Sequence, residues 1–589
     1  MCGIAGIISL DNNNQKSRLA RMAESIKHRG PDDLNIITRG KVSFIHNRLS
    51  IIGLENGAQP LYDKQHDIYL IANGEIYNFV ELRKSLESKG YIFKTESDCE
   101  VILHVYAHEG VNGIKQLRGM FAFALYDIKN NKVLIVRDRM GEKPLYYWKK
   151  NSELVFSSEL QGILAAQKEI PSIDHQAIVD FFRYQYIPEP RTLFKSIKKI
   201  PRSSIMTVDL NDLEIKIASY WNPWDEENIS RTPFEELKQS YNESLRISSR
   251  SDVPIAISLS GGLDSSLIAA SLANASTQEI TAISLGYEGY PENDERNLAR
   301  NLSNLLNISF VDIELSNKNI PESFIDVCRR RDEPVGDISG INYNAIMREC
   351  NKRGIKVIFS GQGADELFWG YDWVRLAAKN NSENNLFSKI FSKNKEYEMF
   401  ELQPFSQWCL NNEHWMFPFI DDVTIDSPTK TYGKLTGNSD IDVMRLICDF
   451  YLLGNGVSQA ERLSMSHSVE CRLPFLDHVF VENAIGFQLG QKYYNKEPKV
   501  VLKNISKNIL PKEIISRKKR GFTPPVKIWQ DNIRSELADD FREGILAESG
   551  LLSKNAVMRL SKEVLQDQIE STPSRLAYTL EFTLRKHLQ

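Results

Sequence analysis

The feature that most limits how this 589-residue chain can fold is a pair of glycine-containing loops, each leaving a short strand-like run. Ile255–Leu259 leads into Ser260-Gly261-Gly262-Leu263-Asp264-Ser265-Ser266 and then a helical stretch, Leu267–Leu272. Lys356–Phe359 leads into Ser360-Gly361-Gln362-Gly363-Ala364-Asp365-Glu366. Short apolar runs without polar alternation read as strands covered on both faces, the habit of parallel sheets flanked by helices. A further strand-like run, Ile280–Leu285, lies between them and alternates with helical stretches. An α/β parallel sheet is therefore expected here, and both loops should fall at strand carboxyl ends, where such sheets bind ligands.

The first loop is built for an anion. Two glycines let the backbone approach closely, while serine hydroxyls and helix N-terminal amides supply donors. No lysine follows the glycines, which excludes the GxxxxGK[ST] phosphate loop. A carboxylate inside such a cradle is out of place unless it holds Mg²⁺ against phosphate oxygens. Asp264 and Asp365 are thus pictured flanking one Mg²⁺–pyrophosphate. The plainer alternative is a strand–helix turn with a capping serine, for which Gly-Gly followed by Asp-Ser-Ser is costly decoration. A third element, Lys499-Val500-Val501-Leu502-Lys503, precedes the basic run Arg517-Lys518-Lys519-Arg520-Gly521-Phe522, read either as a solvated patch or as a closing lid over phosphates.

The other end of the chain carries a second chemistry. In Met1-Cys2-Gly3-Ile4-Ala5-Gly6-Ile7, removal of Met1 would leave a thiol and a free α-amine on one residue. The amine titrates near pH ~8 and the thiol near ~8.5, so the amine can take the thiol's proton, directly or through water. A buried structural cysteine in a first strand is the alternative. A glutamine-hydrolysing nucleophile also needs a carboxylate clamp, an oxyanion hole and an ammonium acceptor. Arg48 can clamp a carboxylate bidentately, Asn73-Gly74-Glu75 reads as a turn ending a strand that aims an amide and a backbone N–H at one oxygen, and Asp98 could receive an ammonium. Taken singly, each has a plainer reading as surface cation, hairpin turn or helix N-cap.

Taken together, they closely resemble the class II glutamine amidotransferase domain. The resemblance rests on Cys2–Gly6, His28-Arg29-Gly30-Pro31-Asp32-Asp33, Arg48–Ile51, Asn73-Gly74-Glu75-Ile76-Tyr77-Asn78 and Asp138-Arg139-Met140-Gly141, in the family's order. It implies Cys2 as nucleophile, Asn73 and Gly74 as the oxyanion hole, and Arg48, Asn73, Glu75 and Asp98 as the glutamine grip. With the two loops, Glu470-Cys471-Arg472-Leu473-Pro474-Phe475-Leu476-Asp477 and Arg517–Phe522, nearly the whole chain resembles the asparagine synthetase family, whose second domain is an ATP pyrophosphatase of the SGGxDS type.

That resemblance implies an α+β N-terminal-nucleophile αββα sandwich over residues 2–210, a linker over 211–232, and an α/β parallel-sheet ATP pyrophosphatase domain with a helical C-terminal part over 233–589. Leu259, Leu285 and Gly361 would line the adenosine. Ser260, Gly262, Asp264, Ser265 and Asp365 would meet pyrophosphate and Mg²⁺, with Gly261, Ser266 and Ser360 completing the nucleotide set and Lys499 offsetting transferred phosphate charge. One position departs from the pattern. Synthetases that amidate aspartate usually read Ser-Gly-Glu-Gly, whereas this chain has Gln362, which accepts no proton at neutral pH. Either Glu366 takes that role or the acceptor differs. The expected reaction joins ammonia from glutamine to an ATP-activated carboxylate, aspartate being favoured and a uronic acid of a surface polysaccharide the alternative. A sugar isomerase or phosphoribosyltransferase partner for the glutaminase half is disfavoured, since neither needs a pyrophosphate loop with an embedded Asp.

Composition bounds the rest. With 73 basic and 77 acidic residues, a net charge of −4 gives no argument for nucleic acid or an anionic membrane as partner. Seven scattered cysteines without a CxxC pair argue against a disulfide framework or a structural zinc site. No signal peptide is read, and no run nears the ~20 apolar residues of a spanning helix. The expectation is a reduced, soluble, cytoplasmic enzyme acting on glutamine, ATP and a small carboxylate; a homodimer is left open. The Asn/Lys/Ser-rich stretch Lys379–Lys395 is expected to be a surface excursion.

Overall fold

A computed structural model describes residues 1–11, 15–225, 229–290, 294–384, 404–424, 438–517, 524–562 and 568–588. Its first part contains twelve strands: β1 (Cys2–Ser9), β2 (Asp33–Arg39), β3 (Val42–Arg48), β4 (Leu61–Asp63), β5 (Ile68–Ile76), β6 (Gly119–Asp127), β7 (Lys132–Arg137), β8 (Tyr146–Lys150), β9 (Glu153–Ser157), β10 (Ile197–Lys199), β11 (Ser204–Asp209) and β12 (Ile215–Ser219). They form two six-stranded sheets, ordered β10-β8-β9-β1-β3-β2 and β12-β11-β7-β6-β5-β4. Ile4, Ile8, Phe44, Ile71, Ala124 and Phe156 fill the space between the sheets. Helix α1 (Lys16–Ser25) covers the outer face of the first sheet; α2 (Phe79–Ser88) and α3 (Glu100–Glu109) cover that of the second. This is the expected αββα sandwich.

Two details differ from the sequence reading. Asn73-Gly74-Glu75 is not a turn: it lies inside β5, which stays paired with β6 as far as Ile76↔Gly119. Asn-Gly suggests a turn only while the partner strand is unknown. A side chain at Gly74 would meet the Met120 carbonyl oxygen at 2.1 Å, so the glycine serves close strand approach. Residues 215–219, within the stretch expected to link the domains, form β12 and pair with β11.

The second part is built on a parallel sheet of β13 (Ile255–Ser258), β14 (Ile280–Tyr287), β15 (Ser309–Leu315), β16 (Val357–Phe359) and β17 (Glu470–Arg472), ordered β15-β14-β13-β16-β17. The chain leaves β13 toward β14 on one side and returns to β16 on the other, which opens a crevice at their carboxyl ends. The helix after the first loop spans Leu263–Ala275, starting earlier than expected because Gly262 already takes the extended N-cap conformation, and it brings Asp264 and Ser265 into its first turn. The rest is mainly helical. Among the described residues no helix is long and apolar enough to cross a membrane. Residues 385–395 of the polar stretch and 518–522 of the basic run lie outside the described residues.

Candidate active sites

The first site gathers on β1, β3 and β5. Cys2, 6% exposed, pairs across the sheet with Arg48, and its N–H donates to Asn73 Oδ1 at 2.9 Å. Asn73 is fully buried and its Nδ2 has no hydrogen-bond partner. A buried N–H₂ left this way normally carries a desolvation penalty. Burial pushes the Cys2 thiol above its ordinary value, against the pull of the neighbouring ammonium and Arg48. Arg48 is not a surface cation: its guanidinium donates to the Gly53 carbonyl at 2.6 Å and the Leu54 carbonyl at 3.4 Å.

Asp98 is not a helix cap either. Its Oδ2 accepts the Ile76 N–H at 2.7 Å, and burial pushes its carboxyl up to about 6. Glu75 turns toward the second domain, where its Oε2 lies 3.6 Å from Arg472 Nη2. Burial, together with Glu470 and Asp98, pushes the Glu75 carboxyl well up. Met1 is buried, and its ammonium sits 3.4 Å from Glu470 Oε2 and donates to the Leu49 carbonyl at 3.2 Å.

The second site is a cavity of about 760 Å³ at the carboxyl ends of β13 and β16. Ser260, Gly262, Asp264 and Ser265 from one loop and Ser360, Gly361, Gln362, Asp365 and Glu366 from the other line it together with Lys499. The loops touch: a side-chain Cβ at Gly361 would come within 3.2 Å of Asp264 Cβ. Lys499, at the start of the helix Val500–Ser506, reaches both carboxylates, pairing with Asp264 and lying 2.7 Å from Asp365 Oδ1. Burial alone would pull its ammonium down; the two carboxylates more than offset this and push it up. Leu259, Gly261, Ser266 and Leu285 are buried behind the cavity and do not line it, a correction to the expected nucleotide wall.

At the far end, Gln362 Nε2 donates to the Tyr343 hydroxyl, so its amide is committed to the wall. Buried Glu366 accepts the Tyr371 hydroxyl at 2.9 Å; burial, helped by Asp365, pushes its carboxyl up to about 7. Tyr371, Trp373 and Tyr451 pack against one another, centroids 5.8–6.0 Å apart, and all three line the cavity. Among the described residues no group of three or more His, Cys, Asp or Glu is arranged to hold a metal ion. Asp264 and Asp365 nonetheless present two hard oxygen donors to one point, the set Mg²⁺ uses when phosphate and water complete its shell.

Arg29, Glu470 and Arg472, none with an assigned role, join the sites. Arg29 donates to the Cys2 carbonyl at 3.3 Å, to Glu159 at 2.9 Å and to Glu461 of the second domain. Arg472 donates to Glu470 at 2.6 Å and faces Glu75, while its carbonyl accepts the Ser360 N–H at 3.1 Å. Charged residues alternating with apolar ones in Val469-Glu470-Cys471-Arg472-Leu473 were the available signal.

Comparison with known proteins agrees with both halves. A glutamine amidotransferase domain model matches residues 1–221 and an asparagine synthase model residues 236–584. The chain is 30% identical to glutamine-hydrolyzing asparagine synthetase 1 of Bacillus subtilis, covering 97% of this chain and 94% of that one. It is 29% identical to asparagine synthetase 3 of the same organism, covering 91% and 90%, and 27% identical to an amidase of Penicillium rubens, covering 90% and 89%. The chain belongs to the asparagine synthetase family of ATP-dependent ligases, with an N-terminal glutamine amidotransferase domain.

Proposed function

We propose that the protein makes asparagine from aspartate, with glutamine as nitrogen donor and ATP as activator. With Met1 removed, the Cys2 amine takes the thiol proton and the thiolate attacks the glutamine side-chain amide. The tetrahedral oxyanion is met by Asn73 Nδ2 and the Gly74 N–H, while Arg48 and Asp98 hold the α-carboxylate and α-ammonium. Ammonia leaves, and water cleaves the γ-glutamyl thioester to glutamate. In the second cavity a carboxylate oxygen of the acceptor attacks the α-phosphorus of ATP and pyrophosphate departs. Ammonia then adds to the acyl carbon, AMP leaves, and the surplus proton passes to Glu366, whose raised carboxyl suits proton transfer near neutrality.

Asp264 and Asp365 would hold Mg²⁺, which when bound offsets charge on the departing pyrophosphate. Lys499, which here pairs with both carboxylates, would move off them when Mg²⁺ binds and meet phosphate charge beside it. The observation that carries this reading is the convergence of Asp264, Asp365 and Lys499 in one cavity with Glu366. The commitment of Gln362 to Tyr343, beside the wall of Tyr371, Trp373 and Tyr451, favours one second reading: a larger carboxylate acceptor such as a uronic acid, whose ring would stack there.

Replacing the nucleophile tests the division of labour. Cys2→Ala should abolish glutamine-dependent amide formation and leave ammonia-dependent formation intact. Unchanged use of glutamine would remove Cys2 from the mechanism.

A further inference from the structure

The second cavity has a charged end that the mechanism above leaves unused. Of the cations lining this cavity, Arg183, Lys499, Lys503 and Arg517 each stand 2.7 or 2.8 Å from a carboxylate oxygen. Arg575, from the helix Gln568–Leu588, also lines it but makes no ion pair among the described residues. Its Nη2 donates to Gln185 Oε1 at 3.4 Å, and its buried Nε has no partner. Burial pulls this guanidinium down, and the charge that opposes the pull is Asp337. Buried Arg29, Arg462 and Arg472 are all matched by carboxylates, so an unmatched guanidinium is not the habit of this chain.

Asp337 is the complementary case. It is half-buried in the same cavity, and no cation pairs with its carboxylate among the described residues. Its Oδ1 accepts the Ser339 N–H at 2.9 Å, an ordinary turn ahead of the helix Gly340–Lys352. Its Oδ2 accepts Asn455 Nδ2 at 3.3 Å. Two neutral donors leave much of an ionised carboxylate's acceptor capacity open. A relay holds this side chain in place: Arg331 donates to Gln459, whose Nε2 donates to Asn455 Oδ1 at 2.5 Å. Arg331 also donates to the Asp337 carbonyl at 3.0 Å and so fixes the loop. Asn455 and Tyr451 stand on a π-helix, Ile447–Val457, a widened form frequent at functional sites.

Gln185 touches both sides, its carbonyl accepting the Gly336 N–H at 2.7 Å while its amide oxygen meets Arg575. Burial, with Asp337 and Glu366 both contributing, pushes the Tyr343 and Tyr451 hydroxyls up, so the charged end adjoins the carboxyl assigned to proton transfer. A carboxylate and a guanidinium held apart in one cavity, each without a counter-charge, complement a zwitterion.

We propose that Asp337 receives the α-ammonium and Arg575 the α-carboxylate of an amino acid whose side-chain carboxylate is the one activated. This rests on the reading of the cavity as the place where ATP activates a carboxylate. A uronate carries no ammonium and would leave Asp337 unmet, so the pair favours an amino acid over a sugar acid.

Pyrophosphate release by the full, Met1-processed chain with ATP, Mg²⁺ and ammonia tests it, with aspartate, glutamate, succinate, 3-aminopropanoate and glucuronate compared as acceptors. Succinate is aspartate without its ammonium; 3-aminopropanoate is aspartate without its α-carboxylate. The wild type should prefer aspartate to both by about tenfold or more in kcat/KM. Asp337→Asn and Arg575→Gln should each raise the aspartate KM by about tenfold or more, with kcat held within about threefold. Selectivity should also cross. Asp337→Asn should lose the preference over succinate and keep that over 3-aminopropanoate, and Arg575→Gln should do the reverse. Each ratio is taken within one variant, so the fraction of folded enzyme cancels. Aspartate turnover with unmoved ratios would overturn the proposal and leave the aspartate reading standing. Turnover of glutamate but not aspartate, with the same crossed loss against glutarate and 4-aminobutanoate, would do the opposite. Turnover of glucuronate alone, or of none of them, would overturn both.

Discussion

Arg472 of the second domain stands 3.6 Å from Glu75, the residue after Gly74 on β5 of the first. The strand bearing Arg472 is paired with β16, from which the Ser360–Glu366 loop emerges, so one buried guanidinium spans from the glutaminase site to the frame of the ATP cavity. Its Nη1 also donates to the Ser248 carbonyl at 2.6 Å. Removing it would leave Glu75 without its facing cation and Glu470 with only the N-terminal ammonium beside it. Arg472→Met is expected to lower stability by about 3–5 kcal/mol, measured by urea denaturation, with both half-reactions impaired. A loss under 1 kcal/mol would mean the cluster relaxes without it.

The Asn73 amide accepts the Cys2 N–H through Oδ1 and leaves Nδ2 without a partner, which the proposed mechanism gives to the oxyanion. Asn73→Ala should reduce glutaminase kcat by about 10²–10³-fold with little change in glutamine KM, the signature of a donor used mainly in the transition state. Ammonia-dependent synthesis should be untouched. An equal loss in both assays would indicate structural damage instead.

Asp98 offers a pH test. Its carboxyl is raised from 3.8 to about 6, so between those values the folded protein holds a proton that the unfolded chain releases. That proton favours the folded state at low pH, and the contribution is lost as pH rises through about 6. Binding a glutamine ammonium needs the ionised form. Glutaminase kcat/KM should therefore fall as pH drops through about 6, and Asp98→Asn should be slow and without that inflection. An inflection preserved in Asp98→Asn would assign it to another group.

Glu366 gives the matching test in the second cavity. With its carboxyl raised to about 7, a base at this position becomes available as pH rises through neutrality. Ammonia-dependent synthesis should show that rise, and Glu366→Gln should lose about 10²–10⁴-fold in rate and flatten the profile while glutaminase activity persists. Full activity in Glu366→Gln would exclude it as the proton acceptor.

Much of this architecture is legible in the residues. The apolar runs around Ile255 and Ile358 announced a parallel sheet, and the short apolar run in Lys132–Arg137 a strand of the sandwich, because each element's burial is written in its own residues. Asp264, Asp365 and Lys499, 235 positions apart at the extremes, meet as the loop chemistry implied. Asn73-Gly74 misled because a turn signal is local while the β5–β6 pairing that overrides it is not. Leu259 and Leu285 are buried because the sheet is covered on both faces, which a motif does not record. Arg29, Glu470 and Arg472 escaped for the same reason at larger scale: their partners belong to the other domain, and nothing in either segment names them.

The most direct test of the central claim is pyrophosphate release by Met1-processed enzyme supplied with ATP, Mg²⁺ and ammonia, with and without aspartate, the product being identified by mass spectrometry. Aspartate-dependent pyrophosphate and AMP in equal amounts with asparagine is the predicted result. Pyrophosphate release indifferent to aspartate, with glutamine hydrolysis at Cys2 intact, would contradict it and turn the search to larger carboxylates such as uronates.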